Sequence, residues 1–288
     1  YDSMLSDITD EERMDYVSSQ GYAWGYIGSC VPFVLCLVIV LGSDPLGIRM
    51  ETAMGIAFVL VAVWWLLMSL PLLKNYEQKY YVEKKPHAIA QSFKRLGETF
   101  KNMKEEKQVF MFLLAFFFYI DGVYTIIDMA TAYGSALGLD STGLLLALLV
   151  TQIVAFPCAI IFGNLSYRIR TEKLIIVCIF AYLGIAIFAV FLKTQFQFWI
   201  LAILVGMFQG GIQALSRSYF TKIIPEEHSG EYFGLMDICG KGASFVGTTI
   251  VSIVSQLTGN ISMGVGMIAI LFCIGIVIFL KAVSMSRN

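Results

Sequence analysis

Long apolar runs follow one another along this chain and are separated by short polar segments. A helix needs roughly 20 residues to cross the hydrocarbon core of a bilayer, which is about 30 Å thick, and the runs reach that length. They are continuously apolar, whereas the strands of a membrane barrel alternate between apolar and polar residues. They predict eight membrane-spanning helices, at residues 21–41, 52–73, 108–135, 143–165, 174–192, 196–216, 232–257 and 261–280.

The amino-acid composition indicates which fold class this pattern belongs to. Of the 288 residues, 58% are hydrophobic and 14% are charged, against about 45–50% and about 25% in soluble domains. The excess of apolar residues is too large for one soluble core, so the sequence predicts an all-α, multi-pass integral membrane protein. The lipid bilayer is its expected surrounding, and no nucleic-acid partner is expected.

Basic residues are distributed unevenly between the two sides of the predicted helices. With the N-terminus on the inner side, the outer segments contain only Arg49 and Lys193, and Lys241 lies within a predicted helix. All other basic residues fall in inner segments, as the positive-inside rule describes. This distribution places both ends of the sequence on the cytoplasmic side, with the cell (inner) membrane as the expected location.

One long polar stretch, residues 74–107, separates the first two predicted helices from the other six. Its second half repeats apolar residues at intervals of three and four, which is typical of an amphipathic helix: Ile89, Phe93, Leu96, Phe100 and Met103. This helix either lies on the inner membrane surface or packs its apolar stripe against the protein itself.

A short repeat relates two inner segments of the chain. At an offset of 215, residues 1–28 align with residues 216–243, and the matching positions are Ser3 and Ser218, Ile8 and Ile223, Glu11 and Glu226, Glu12 and Glu227, and Gly25 and Gly240. Four predicted helices lie between the long polar stretch and the second copy, but none precedes the first copy.

Many transporters are built from two six-helix halves. On that plan the chain corresponds to helices 5 to 12 of a twelve-helix fold. Residues 1–73 are then the last two helices of the first half, 74–107 a cytoplasmic linker and 108–288 the second half. The alternative is an eight-helix protein in which the repeat is a chance similarity.

Three stretches resemble the major facilitator superfamily, and in particular its vacuole-effluxer-like branch: MLSDITDEERMDYVSSQGYAWGYIG at 4–28, YIDGVYTIID at 119–128 and ALSRSYFTKIIPEEHSGEYFGLMDICGKGASFVG at 214–247. The resemblance implies a secondary transporter that works by alternating access and moves amino acids or similar small metabolites out of a compartment or cell. The loop GNLSYRIRTEK at 163–173 resembles the signature loop of the superfamily, with Tyr167 where an acidic residue is usual. Its Arg168 and Arg170 are candidates for a gate.

Two aspartates interrupt the apolar run at 108–135. Asp121 lies about 13 residues into this run, roughly 20 Å deep at about 1.5 Å per residue. Asp128 follows seven residues later with Tyr124 between them, so the three share one helix face. A carboxylate facing lipid costs about 2.5–3.5 kcal/mol, so this stripe is expected to face a protein-lined or watery cavity.

Such a buried acid is a candidate for binding a proton, a cation or the substrate. Structural interpretations stay open beside this one. Asp121 could hold Gly122 in a helix kink, and Asp128 could be solvated or cap a helix break near the outer end. The sequence leaves the coupling ion, proton or sodium, undecided.

A second polar face is predicted on the run at 196–216 and its continuation. Gln209, Gln213 and Arg217 recur every four residues, which places them on one side of a helix. The amides suit either a polar solute or hydrogen bonds between helices, and the guanidinium suits a carboxylate. Arg217 is also a candidate for an inner gate, with Glu227 or Glu231 as its partner.

Three further polar residues lie within predicted helices. Asp237 and Lys241 have the i, i+4 spacing of an intrahelical ion pair, which either stabilises the bundle or takes part in ion transfer. Gln152 is a candidate for contact with a cavity.

The sequence favours a transporter of a small polar substrate over two other classes of protein. A transport-inactive scaffold or sensor that keeps the same fold is the alternative. An enzyme is not expected, because no HExxH, P-loop or GxGxxG motif occurs and such spacings are what those chemistries require. The six cysteines lack the spacing of a metal site, so neither a metal nor a cofactor is expected.

Overall fold

The computed structural model describes residues 1–45, 47–80, 97 and 106–285. Within these residues the chain is helical, and eight segments are long and apolar enough to cross a membrane. The helices are α1 (Leu5–Ile8), α2 (Met14–Leu41), α3 (Met50–Asn75), α4 (Lys107–Ala136), α5 (Ser141–Leu165), α6 (Thr171–Val190), α7 (Gln195–Ile223), α8 (Ser229–Thr258), α9 (Ile261–Gly266) and α10 (Ile268–Met285). The short helix α9 and α10 together form the last of the eight segments.

The eight predicted helices are confirmed, but two of them extend into polar sequence. Helix α2 begins at Met14 rather than at 21, and α7 continues to Ile223 rather than ending at 216. Hydropathy alone ends a helix at the first charges, whereas here the added turns have buried polar partners on other helices. The amphipathic helix predicted over 89–103 lies, apart from Gly97, outside the described residues.

Helices α4 and α7 are the most buried of the membrane-crossing segments. Rings from α4, α7 and α10 pack together in the core: Phe112 lies 5.2 Å from Tyr219, 5.5 Å from Phe220 and 6.1 Å from Phe279, between ring centroids. Such aromatic pairs add to the stabilisation from buried apolar area. Helices α4 to α10 therefore share one continuous core.

Helix α2 connects this core to α3. It packs against α5, α7 and α3. Helix α3 contributes a single buried residue, Ala53, and leaves most of its apolar side chains exposed. This exposure is expected of a helix whose surroundings are lipid or another membrane helix.

Small residues let α7 approach α5 closely. A Cβ atom added to Gly206 would lie 2.6 Å from the carbonyl oxygen of Thr151, and one added to Gly210 would lie 2.6 Å from the Cβ of Ala159. Thr151 also donates a hydrogen bond across this contact, to the carbonyl oxygen of Ala202 at 3.2 Å. Close approach through small residues and hydroxyl bonds is typical of packing between membrane helices.

Candidate functional site

A buried carboxylate near the start of α2 has partners on two other helices. Asp15 Oδ1 accepts a hydrogen bond from the Ser218 hydroxyl at 2.5 Å. Its Oδ2 accepts from the Thr171 hydroxyl at 2.6 Å and from Lys222 Nζ at 2.8 Å. Because both oxygens are satisfied, the charge can be buried without a large penalty. Asp15 thus ties α2 to the start of α6 and to the end of α7.

Arg217 makes a second contact between α2 and α7. Its side chain is 7% exposed, and Nη1 pairs with Asp2 Oδ1 at 3.0 Å. Nε donates to the Ser18 hydroxyl at 2.9 Å and Nη2 donates to the Ser18 carbonyl at 3.1 Å. The guanidinium also lies over the Tyr22 ring, 4.9 Å from its centroid, in the geometry of a cation–π contact.

The partner of Arg217 differs from the prediction. The sequence pointed to Glu227 or Glu231, whereas the structure places Asp2 against the guanidinium. Helix α7 continues for six residues beyond Arg217, so the acidic turn that follows it lies further along the chain. Glu227 is exposed in that turn, and Glu231 lies in the first turn of α8 with its Oε2 atom 3.9 Å from His228 Nδ1.

Arg217 and Asp2 line a cavity between α2, α4, α7 and α8. The other polar side chains that line it are Tyr22, Tyr124, Gln213, Asp237 and Lys241. Apolar surface comes from Phe116, Ile120, Phe233 and Met236. A cavity with apolar walls and a few fixed polar groups is typical of a site for a small molecule.

Several polar residues of this cavity have defined partners. Gln213 Oε1 accepts a hydrogen bond from the Tyr26 hydroxyl at 2.9 Å. Lys241 Nζ lies 3.2 Å from Asp237 Oδ2, and the two side chains are 80% and 58% exposed. An ion pair this exposed contributes about 0–1 kcal/mol, so both charges are free to interact with other groups.

Asp121 lies in the contact between α4 and α8 and does not line this cavity. The residue has no exposed surface. Its Oδ1 accepts hydrogen bonds from the Gly247 N–H at 2.9 Å and from the Thr125 hydroxyl at 3.2 Å. Its Oδ2 is buried and has no hydrogen-bond partner among the described residues. Asp121 is therefore enclosed between α4 and α8 and does not line the cavity beside Arg217, because the missing Cβ of Gly247 lets α8 cover the carboxylate.

The predicted polar stripe on α4 is divided between two environments. Asp128 is exposed and accepts a hydrogen bond from the Ser244 hydroxyl on α8 at 2.7 Å. Both aspartates therefore contact α8, while Tyr124 alone lines the cavity. Spacing alone predicted that the three residues lie on one face of α4. It could not predict which neighbouring group each of them contacts.

Gly247 is expected to tolerate no side chain. A Cβ atom there would overlap Thr125 Oγ1 and Asp121 Oδ1. We therefore expect Gly247→Ala to destabilise the protein by about 1–3 kcal/mol, measured as a lower unfolding temperature in detergent. Gly242→Ala is the matched control, because nothing lies within 4 Å of that position on the same helix. Equal behaviour of the two variants would contradict the packing at Asp121.

Gln152 and Gln209 line a second, mainly apolar cavity between α4, α5 and α7. The Oε1 atom of Gln209 is buried and has no hydrogen-bond partner within the described part of the chain. The predicted face of α7 thus serves two cavities, with Gln209 at this one and with Gln213 and Arg217 at the other.

Arg168 and Arg170 lie on the exposed turn between α5 and α6. Arg170 Nη2 pairs with Glu172 Oε1 at 2.7 Å, within the first turn of α6. This pair links neighbouring residues and does not cross to another helix. Among the described residues, the contacts between α2 and the end of α7 involve Asp15 and Arg217 instead.

The family model described as "Vacuole effluxer Atg22 like" matches residues 3–288. The chain belongs to this family. It is 46% identical over 280 residues to "Uncharacterized MFS-type transporter YxiO" of Bacillus subtilis (strain 168), a match that covers 96% of this chain and 65% of that protein. It is 25% identical over 303 residues to "Autophagy-related protein 22" of Botryotinia fuckeliana (strain B05.10), covering 94% of this chain and 50% of that protein. The Atg22-like chain therefore spans about half to two thirds of the length of these curated relatives.

Solved structures show the fold of this Atg22-like chain. A crystal structure of the E. coli fucose:proton symporter FucP matches with a TM-score of 0.68 and 16% identity, covering 98% of this chain and 72% of that chain. A bacterial homologue of the iron transporter ferroportin, in an outward-facing state, matches with a TM-score of 0.63 and 16% identity, covering 97% of this chain and 66% of that chain. The chain has the helical arrangement of a major facilitator transporter.

Sequence reasoning missed the polar residues on α2 of the Atg22-like chain. Asp15, Ser18, Tyr22 and Tyr26 follow one another at intervals of three and four, so they share one helix face. All four form buried or cavity-lining contacts with α7. The same periodicity that was used to select Gln209, Gln213 and Arg217 would have found them.

Asp7 anchors the segment that follows α3. Its buried carboxylate accepts a hydrogen bond from the Tyr76 hydroxyl, and its Oδ1 accepts from the N–H groups of Lys79 at 3.1 Å and Tyr80 at 3.0 Å. Burial and the hydrogen bond to Asp7 raise the pKa of Tyr76 to about 12, so this hydroxyl remains a donor at neutral pH. A hydrogen bond to Glu226 raises the pKa of Tyr80. The start of the long polar stretch is therefore held between α1 and the turn after α7.

Proposed function

We propose that this chain is part of a secondary active transporter that exports a small polar metabolite, such as an amino acid, by alternating access. In this proposal it supplies helices 5 to 12 of a twelve-helix fold. Residues 1–73 end the first half, 74–107 link the halves and 108–288 form the second half. Membership of a vacuole-effluxer family and the major facilitator arrangement support this assignment. The excess of basic residues in inner segments supports a cell-membrane location with both ends of this chain in the cytoplasm.

The buried polar contacts of Asp15 and Arg217 are the observation that carries the proposal. In the proposed division, α2 belongs to one half, and α6 and α7 belong to the other. Both contacts lie near the helix ends that the charge distribution assigns to the cytoplasm, so they hold the inner sides of the two halves together. Hydrogen-bonded ion pairs can break as discrete contacts when packed units rotate, which is what alternating access requires.

The cavity beside Arg217 supports a substrate that carries a carboxylate. A guanidinium forms paired hydrogen bonds to a carboxylate, but Asp2 now occupies Nη1 of Arg217. A substrate carboxylate that took the place of Asp2 would keep the guanidinium paired and would release the segment before α2 from α7. Asp237 lines the same cavity and could accept a hydrogen bond from a substrate ammonium group.

Asp121 supports proton coupling. A buried carboxylate with one unpaired oxygen is costly while it is ionised, and a proton on Oδ2 would remove that charge. The hydrogen bonds to Oδ1 hold the group against α8, so gain or loss of the proton changes the contact between α4 and α8. This gives the carboxylate a direct connection to helix movement.

Counterflow exchange in proteoliposomes tests the proposed transport. Vesicles that contain the full-length protein and are loaded with unlabelled amino acids are expected to take up labelled amino acid well above protein-free vesicles. Arg217→Leu should reduce this exchange by tenfold or more, since hydrogen bonds between charged partners contribute about 1.5–3 kcal/mol.

Lys193→Gln is the matched control for this loss of a cation. It removes a charge from the turn between α6 and α7 and is expected to leave exchange unchanged. Size-exclusion profiles show whether each variant is folded. Failure of the wild-type protein to exchange any amino acid class would favour a transport-inactive scaffold or sensor, and deletion of residues 81–105 would then be the next measurement.

A further inference from the structure

A groove between α6 and α10 has basic groups at one end and an apolar floor. The ends of these helices pack side by side. Helix α6 lines the groove with Arg170, Glu172, Lys173 and Ile176. Helix α10 lines it with Leu280, Val283 and Ser284. None of these groups takes part in the contacts of Arg217, Asp15 or Asp121.

The charges in the groove do not cancel. Glu172 is already paired with Arg170, at 2.7 Å between Oε1 and Nη2. Lys173 is exposed and forms no ion pair with any residue that the structure describes. Two more exposed cations lie at the same end of the helices, Arg168 on the preceding turn and Lys281 next to Leu280. The groove is therefore complementary to an anionic group.

Below the charges, the groove opens onto a surface that faces the hydrocarbon layer. Exposed apolar side chains continue from it along both helices, with Val177 at 52% and Phe180 at 54% exposure on α6, and with Val277 at 55% and Leu280 at 47% on α10. A ligand that fills the groove would thus meet cations at one end and lipid-facing apolar surface at the other. A soluble anion would use only the first of these.

We propose that this groove binds a phospholipid with an anionic headgroup. The phosphate lies at Lys173 and Arg170, and an acyl chain follows Ile176 and Leu280. Basic pockets between membrane helices bind acidic lipid headgroups through this combination of charge and apolar contact. The bound lipid would join the ends of α6 and α10, so it would also stabilise the fold.

Native mass spectrometry of the full chain in detergent tests this proposal. We expect phosphatidylglycerol to bind more tightly than phosphatidylcholine with the same acyl chains. Lys173→Gln should weaken phosphatidylglycerol binding by about fivefold, since one basic residue near an anionic surface contributes about 1 kcal/mol. Lys193→Gln, at the opposite end of α6, is expected to have no effect. Equal binding of the two lipids, or equal behaviour of the two lysine variants, would overturn the proposal.

A second measurement separates a lipid from a soluble anion. Leu280→Ser changes a half-exposed side chain at the rim of the groove, so the variant is expected to fold. It should weaken the binding of phosphatidylglycerol and should not strengthen the binding of phosphatidylcholine. If millimolar inorganic phosphate displaces phosphatidylglycerol from the wild-type protein, or if Leu280→Ser has no effect, the site takes a soluble anion and the lipid assignment fails.

Discussion

Asp121→Asn is expected to abolish accumulation of substrate driven by a proton gradient while leaving counterflow exchange in place. The asparagine side chain has the shape of aspartate, and its Oδ1 can still accept the Gly247 N–H and the Thr125 hydroxyl. It cannot gain or lose a proton. With one proton per substrate, a gradient of one pH unit sustains about tenfold accumulation, because about 1.4 kcal/mol corresponds to a factor of ten. The variant should show none.

Asp128→Asn is the control for this prediction. Asp128 lies on the same helix and also contacts α8, through Ser244, but its side chain is exposed. Solvent can satisfy either protonation state there, so accumulation is expected to remain close to that of the wild-type protein. Gradient-driven accumulation in Asp121→Asn at the wild-type level would rule out the coupling role, and loss of exchange as well would point to a structural role.

The membrane helices of this protein were predictable because hydrophobic length is a local property of the chain. The errors fall where a helix continues into polar sequence. Residues 14–20 of α2 and residues 217–223 of α7 look like loop ends when each segment is considered alone. They are helical because Asp15, Ser218 and Lys222 satisfy one another across segments about 200 residues apart.

The candidate site was predictable only in part, for the same reason. The depth of Asp121 and the face shared by Gln213 and Arg217 follow from helix geometry, and the structure shows that Asp121 is fully buried. The residues on other segments that contact these side chains are distant from them in the sequence. Gly247 reaches Asp121 and Asp2 reaches Arg217 through packing between helices, which no spacing rule contains.

The sequence repeat aligns two residues that are in contact in the structure, Asp2 and Arg217. The two copies are offset by 215 residues, and the same offset separates Asp2 from Arg217, whose side chains are in direct contact. It also separates Tyr22 from Asp237, and both line the same cavity. If the copies occupy equivalent places in two halves, residues that are equivalent and in contact must lie close to the axis that relates the halves.

Because the two charges pair directly, exchanging them tests the contact itself. Asp2→Arg alone would place two guanidinium groups together, and Arg217→Asp alone would place two carboxylates together. We expect Arg217→Asp to lower the free energy of unfolding by about 3 kcal/mol, because it removes the buried hydrogen bonds to Ser18 and puts a carboxylate beside Asp2. The unfolding temperature should fall by roughly 6–12 °C. The double reversal should recover at least about 1 kcal/mol relative to the sum of the single variants.

The reversal of Asp237 and Lys241 is the matched control for this experiment. That pair is also made of an aspartate and a basic residue and lines the same cavity, but it is exposed, so each change is expected to alter stability by less than about 1 kcal/mol. Additive losses in the Asp2 and Arg217 cycle would show that the two side chains are not energetically coupled and would contradict this prediction. Recovery of both stability and exchange in the double reversal would show that direct pairing of the two charges, rather than the identity of either residue, holds the segment before α2 against α7.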